Sequence, residues 1–297
     1  MSAASHPVDE DAALRVVLFA ADGRYQRNLA FLLARQFDLA GIVWQRAETA
    51  KGPLISRLLR YVNPRALTQY LAARLANARD AADARPLVDS LFGTEQAWDA
   101  IQHEIPSLTV ANINDPRAVE FVRNIAPKVV CVNGTNLLRE PMLALAPSIH
   151  HGFINLHTGL SPYSRGGNCD LFMLLEGHPE WVGITIHHID SGIDSGDIII
   201  TARPELAAGD NYEMIEAKSF RLGNDMMVVA LKQLAEARAQ RVRQWTDGKL
   251  FLRRTGYVYR PYHRLLVNRA LRKGLITQYL SDRERRDRGV RLVGEQA

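Results

Sequence analysis

The chain has 297 residues, 47% of them hydrophobic and 23% charged, with a formal charge of +5. That is enough to bury a large core in one domain, or one domain plus an appendage. It contains no repeat, no low-complexity tract and no apolar run of about 18 residues, which argues against a solenoid and a membrane-spanning helix.

The first segment, MSAASHPVDEDAALRVVLFA, is acidic before its apolar run, opposite to a secretory leader, so residues 14–21 read as a first core strand. Arg15–Ala21 is a β-branched run closed by the turn-like Asp22-Gly23. Helical spacing follows over Asn28–Phe37, and Leu39–Trp44 reads as the second strand, so the rhythm is βαβ and implies parallel pairing. Between Arg46 and Pro106 the pattern turns helical, over Leu54–Tyr61, Pro64–Asn77 and Gln96–Ile105, and reads as an insertion of about 47–106. Leu108–Ala111 is another strand candidate; Asp115-Pro116 supplies an N-cap and first-turn proline for a helix through Asn124. Lys128–Val132 reads as a buried strand ending in Asn133-Gly134-Thr135-Asn136. Phe153–Leu156 and Val182–Ile189 are further strands, with a helix over Asn168–Glu176 between them and Asn168 as its N-cap. Asp197–Ala202 has the character of an edge strand. A long helix should run from about Asn211 to Gln240, capped by Asp210, and Gly248–Arg253 is a last short strand before basic helices.

From Arg238 onward there are about 16 basic against about 5 acidic side chains. Such a segment suits an anionic contact or a solvated surface helix, and charge alone does not choose between them. The two cysteines, Cys131 and Cys169, have no CxxC spacing; this points to a reducing, cytoplasmic setting without disulfides or a cysteine zinc site. Asp22-Gly23-Arg24 lacks the G-x-G-x-x-G pattern, which disfavours a dinucleotide cofactor.

The chemistry concentrates in residues 154–199. Alternation in a strand should project Asn155 and His157 together at the strand's end. An amide beside an imidazole suits a reaction that develops an oxyanion. The Gly-, Ser- and Pro-rich loop 158–167 follows, carrying Tyr163 and Arg165. The segment from Asp190 to Asp197 then forms a tight turn with two glycines, a structural turn or a calcium-like loop when read alone. A carboxylate from it could orient His157 and stabilise its charged form. His187 and His188 are adjacent on a strand and should face opposite sides; the histidines lack an HxH or HxxxH pair for metal. Trp44, Trp98 and Trp181 read as packing residues.

In this order, Asn155-Leu156-His157, the loop Leu160 to Gly166, Gly183-Ile184-Thr185-Ile186-His187 and the loop Asp190 to Gly196 resemble the formyltransferase family that includes glycinamide ribonucleotide formyltransferase and the catalytic domain of methionyl-tRNA formyltransferase. Upstream, the stretch 129–138 looks like the family's pterin-cradling strand and loop. The resemblance covers residues 14 to 200 and weakens across the insertion. It implies a Rossmann-like α/β fold: a mostly parallel twisted sheet flanked by helices, with the helical insertion and a small basic C-terminal region. The corresponding division is a catalytic domain over 14–207 and a helical, basic region over 208–297. The resemblance also implies 10-formyltetrahydrofolate as cosubstrate, held near Gly134, Thr135, Asn136, Leu137, Leu138, Asp190 and Gly192, and no metal. Asn155 and a protonated His157 would stabilise the oxyanion, and Asp194 would orient and charge His157 and assist proton removal. Arg24, Tyr25, Tyr163 and Arg165 are the substrate-contact candidates.

Gly159-Leu160-Ser161-Pro162 departs from the S-L-L-P of the housekeeping members and looks more like members that formylate amino sugars. The acceptor this implies is a primary amine on a small biosynthetic substrate, such as a nucleotide-linked amino sugar. The alternatives are a formyltetrahydrofolate hydrolase, a formyltransferase acting on aminoacyl-tRNA through the basic tail, and a non-catalytic folate- or sugar-binding protein. The tail lacks a strand-rich, barrel-like pattern, which weighs against tRNA, and assembly into homo-oligomers is left open.

Overall fold

The computed structural model describes residues 13–46 and 64–294, with the backbone alone at 64–67 and 69. Seven strands form one sheet: β1 (Arg15–Ala21), β2 (Asp38–Gln45), β3 (Ser107–Val110), β4 (Val129–Asn133), β5 (Phe153–His157), β7 (Ile184–His188) and β8 (Ile198–Ala202). Their order is β3-β2-β1-β4-β5-β7-β8. The first five are parallel; β7 runs antiparallel to β5, and β8 antiparallel to β7. The mostly parallel α/β sheet read from the sequence is therefore present, with an antiparallel edge. Two further strands, β6 (Ser164–Gly166) and β9 (Lys249–Phe251), pair in parallel beside it.

Burial on both faces explains why these strands are continuous apolar runs. Val16, Leu18 and Ala20 of β1 pack against helices α1 (Arg24–Gln36) and α6 (Tyr212–Ala235), while Val17 and Phe19 face α4 (Pro116–Ile125). Helix α6 places Met226, Met227 and Leu231 in the same core as β1, β5 and β7, across the 207/208 division drawn from the sequence. A third cluster joins α5 (Cys169–Leu175) to α7 (Pro261–Arg272) through Phe172, Phe251 and Val267.

Several boundaries move for identifiable reasons. Helix α1 begins at Arg24, with Gly23 at the N-cap position, four residues before the apolar spacing starts. Helix α2 (Pro64–Phe92) continues past Asn77 through its alanine-rich stretch, and α3 (Glu95–Ile101) follows it. The predicted helix over Leu54–Tyr61 lies outside the described residues. Asp115 caps α4 as expected, accepting from Arg117 N at 2.9 Å. Asn168 occupies the N-cap position of α5 with φ 55° but its side chain makes no capping bond. At α6 the cap is Asn211, which accepts from Met214 N; Asp210 instead pairs with Lys218 at 2.7 Å. That helix stops at Ala235, where the chain turns through Ala237 at φ 52°. Strand β8 does sit at the sheet edge, and Val242 and Val293 cover it with backbone bonds to Ile198 and Thr201. The tail adds α7, α8 (Leu275–Ser281) and α9 (Arg283–Asp287). No described helix is long and apolar enough to cross a membrane.

Asn268 of α7 ties three helices together. Fully buried, it donates to Asp80 Oδ2 of α2 at 2.8 Å and Glu213 Oε2 of α6 at 3.0 Å, and accepts from Tyr212 N at 2.7 Å. Truncating it leaves buried acceptors and one N–H unpaired, so Asn268→Ala should lower unfolding free energy by about 3 kcal/mol in urea titration. Arg269→Ala on the exposed face of the same helix should stay within about 0.5 kcal/mol of the parent.

Candidate active site

Ligands of open α/β sheets bind beyond the carboxyl ends of the strands, where the order reverses. Here that end holds a cavity of about 560 Å³ beyond β4 and β5. On one side lies the loop after β4. Asn133 is buried, accepts from Gln26 Nε2 at 2.9 Å and donates to Leu156 O at 3.0 Å, so the loop leaves the sheet at a fixed angle. Gln45 Oε1 receives Asn136 N at 3.0 Å, and Asn114 Nδ2 donates to Leu137 O at 2.9 Å. Gly134, Thr135, Asn136, Leu137 and Leu138 all line the cavity.

The floor comes from β5 and β7. Phe153, Asn155 and His157 share a face of β5, as period-two alternation requires. The antiparallel register sets Asn155 opposite His187, which brings His187 into the cavity and turns His188 to the other side of the sheet. The loop between β7 and β8 then delivers Asp194, a non-glycine residue at φ 46°. Gln244 pins this loop from outside, donating to Asp194 O at 2.8 Å and Gly196 O at 3.1 Å. Asp190 lines the cavity and also binds its own loop, accepting from Gly192 N and the Ser195 hydroxyl, both at 2.9 Å.

Four groups converge on the Asp194 carboxylate. Asn155 Nδ2 donates to Oδ1 at 3.3 Å, His187 Nε2 lies 3.5 Å from Oδ1, His157 Nδ1 lies 3.6 Å from Oδ2, and Gly166 N donates to Oδ2 at 2.9 Å. Burial alone would raise its pKa; the two imidazoles and the Gly166 N–H outweigh this and hold Asp194 well below the ordinary carboxylate range. Asp194 is thus a buried, ionised acceptor.

His157 goes the other way. Burial pushes its pKa below the ordinary imidazole value, and the raising influence of Asp194 and the Ser164 carbonyl does not compensate. Burial thus works against the charged His157 that the sequence reading expects, and Asp194 works for it. Its Nε2 points to Ser164 O at 3.4 Å and Nδ1 to Asp194, so a proton on Nε2 leaves Nδ1 ready to accept another. Once charged, the ring has an acceptor on each side.

The loop variant at Gly159 has a packing reason. A Cβ there would come within 2.4 Å of His157 Nε2 and 2.7 Å of Cys169 Cβ, so glycine is what admits the ring. Cys169 Sγ lies 3.5 Å from His157 Nε2, but burial raises its thiol pKa far above the usual range, and Cys131 is raised as well.

The four substrate-contact candidates lie elsewhere. Arg24 pairs with Asp89 at 2.7 Å and Glu95 at 3.2 Å; Tyr25 packs between Phe92 and Phe220. Tyr163 stacks on Trp181, and its hydroxyl donates to Gly289 O and accepts from Arg291 N. Arg165 sits in β6 and does not line the cavity. Thr158, Asn168, Phe220 and Leu252 line it instead. Phe220 and Leu252 stand in segments remote from the motif, and no local signal marked them. Among the described residues no group of three His, Cys, Asp or Glu side chains is arranged to hold a metal ion.

Fold and crevice together define an α/β protein with a candidate site beyond the carboxyl ends of β4 and β5, built from an amide, two imidazoles and one carboxylate. Comparison with known proteins makes this specific. The family model described as formyl transferase matches residues 79–231, just over half of the chain, and the chain belongs to that family. It is 31% identical over 150 residues to methionyl-tRNA formyltransferase of Anaeromyxobacter sp. (strain K), covering 50% of this chain and 46% of that protein. The corresponding protein of Chloroflexus aggregans is 29% identical over 178 residues, covering 58% and 56%. The chain therefore spans about half the length of the curated relatives it matches. Among solved structures, phosphoribosylglycinamide formyltransferase from Anaplasma phagocytophilum shares the fold with a TM-score of 0.52 at 18% identity, covering 80% of this chain and 98% of that one. A sugar N-formyltransferase from a Shewanella species does so with a TM-score of 0.50 at 16% identity, covering 86% and 87%.

Nuclear magnetic resonance should show His157 titrating below 6.5. Since Asp194 raises this pKa, Asp194→Asn should move the midpoint lower still; an upward move would contradict the balance of burial and charge described above.

Proposed function

We propose that this chain transfers a formyl group from 10-formyltetrahydrofolate to a primary amine of a small biosynthetic substrate. The observation that carries this reading is the convergence of Asn155, His157 and His187 on the buried Asp194 carboxylate, on the floor of a 560 Å³ cavity in a formyl transferase family member. The folate carrier supplies the formyl group. The residues present suit such a ligand: the loop 134–138 offers backbone donors and acceptors along one wall, and Val132, Leu138, Ile189 and Ile193 provide apolar surface for a flat ring.

The chain's own residues then have distinct tasks. Asn155 keeps one N–H on Asp194, and its other N–H can turn to the negative charge that develops on the formyl oxygen. His157 begins neutral and takes the amine proton at Nδ1. Asp194 stabilises the resulting imidazolium across 3.6 Å, and Ser164 O accepts from Nε2. No covalent bond to the protein is needed.

For the acceptor, the Gly159–Pro162 loop variant supports an amino sugar, nucleotide-linked in the simplest case. The curated relatives favour a second reading, aminoacyl-tRNA. Against it, much of the basic tail is already engaged: Arg264 pairs with Glu216, Arg272 with Asp80, Arg283 with Asp287, Arg285 with Asp282 and Arg286 with Glu180.

The test is release of tetrahydrofolate from 10-formyltetrahydrofolate, with and without nucleotide-linked amino sugars and with aminoacylated tRNA. Acceptor-dependent turnover is expected with the sugars, falling about 10²–10³-fold in Asn155→Ala and collapsing in His157→Ala. In the parent the rate should rise with pH through a midpoint below 6.5. Turnover independent of any amine would reassign the chain as a hydrolase, and turnover with tRNA alone would decide for the second reading.

A further inference from the structure

A second, smaller cavity of about 140 Å³ opens beside the main one, and the two share Thr158, Asn168 and Phe220 as a common rim. Its remaining walls are supplied by α5 and the first two turns of α6, and its polar groups are Asp170, Tyr212, Glu216 and Ser219. The folate-cradle candidates after β4 and β7 line only the main cavity. The side cavity therefore stands clear of those loops and meets the main one at Thr158, the residue after His157.

Its hydrogen-bonding capacity is lopsided. Ser219 Oγ donates to Asp170 Oδ2 at 2.8 Å, and Tyr212 Oη donates to Glu216 Oε1 at 3.3 Å. Both hydroxyl protons are therefore spent inside the wall. Asp170 also accepts from Gly183 N at 3.1 Å, and Glu216 accepts from Arg264 at 2.9 and 3.1 Å. What remains for a ligand is the spare lone pairs of two carboxylates and two hydroxyl oxygens. Three carboxylates, Asp170, Glu213 and Glu216, stand in or behind this wall, against the single Arg264 guanidinium that touches two of them. Unengaged donors, the Thr158 hydroxyl and the Asn168 amide, lie at the rim. Burial raises the pKa of both Asp170 and Glu216, as expected where carboxylates lack compensating positive charge. A volume equal to about five water molecules admits part of one ring and no more.

We propose that this side cavity receives the amine-bearing ring of the acceptor and selects a ring rich in hydroxyl or ammonium donors, excluding one that carries a carboxylate or phosphate. This rests on the transfer reading above and narrows it: the acceptor is a neutral or cationic amino sugar, and any nucleotide attached to it extends away from α6. An anionic group on the ring would meet the carboxylates of Asp170 and Glu216, while the unengaged donors, Thr158 and Asn168, stand out at the rim.

Ligand-observed nuclear magnetic resonance on the full chain, with glucosamine and glucosaminuronic acid as probes, tests this directly. These probes differ by a hydroxymethyl against a carboxylate. Glucosamine should bind at least ten-fold more tightly, and saturating tetrahydrofolate should leave it bound. The preference should fall toward one in Glu216→Gln, and binding should be lost in Ser219→Leu, which fills the cavity; melting curves establish that each variant is folded. Equal binding of the two probes, no glucosamine binding, displacement by tetrahydrofolate, or an unchanged preference in Glu216→Gln would each overturn the proposal. The transfer reading fails separately, if tetrahydrofolate release never depends on an amine.

Discussion

The structure depends on keeping one negative charge, that of Asp194, inside the protein. Burying a carboxylate costs several kcal/mol unless donors and positive partners replace the water it loses. Gly166 N, Asn155 Nδ2 and two imidazoles replace it here, and they come from three separate parts of the chain. Each must be held in place. Asn155 and His157 are fixed by strand alternation, His187 by register against β5, and Gly166 by the parallel pairing of β6 with β9. Gly167 N adds a bond to Phe251 O, and Gln244 holds the Asp194 loop from behind. The C-terminal segment therefore buttresses the reaction centre from two sides. Part of its basic charge serves this docking, through Lys249 to Glu176, Arg264 to Glu216 and Arg272 to Asp80.

This dependence accounts for what could be read in the sequence. Strands buried on both faces declare themselves as β-branched runs, so the sheet was legible nearly residue by residue. Asn155 and His157 were legible as a pair because period two is a local property. His187's place opposite Asn155 was not, because it depends on the antiparallel register between two strands some 30 residues apart. The same holds for Phe220 and Leu252, which reach the cavity only through the packing of α6 and the β9 turn. Arg24 and Tyr25 have partners that a local reading does not show. They follow the first strand, a position that suggests a ligand, yet Asp89 and Glu95 neutralise the arginine while Phe92 and Phe220 cover the tyrosine. Those partners sit 65 to 195 positions away, beyond any local pattern. At α6 the choice between Asp210 and Asn211 as cap turned on one residue, and Lys218 drew Asp210 away.

Two carboxylates that follow His157 in the chain, Asp170 and Asp194, have opposite electrostatic characters. Asp194 has imidazoles and a backbone N–H about it and stays ionised. Asp170 has only Gly183 N and the Ser219 hydroxyl, so burial prevails and its pKa is pushed up to about 7. Environments that separate the pKa values of like groups assign them different work. Asp194 holds a fixed negative charge beside His157. Asp170 faces the cavity beside α6 with the oxygen lone pairs that Gly183 N and Ser219 leave unused. The two aspartates thus differ in what surrounds them: protein donors and imidazoles solvate Asp194, whereas Asp170 is chiefly buried.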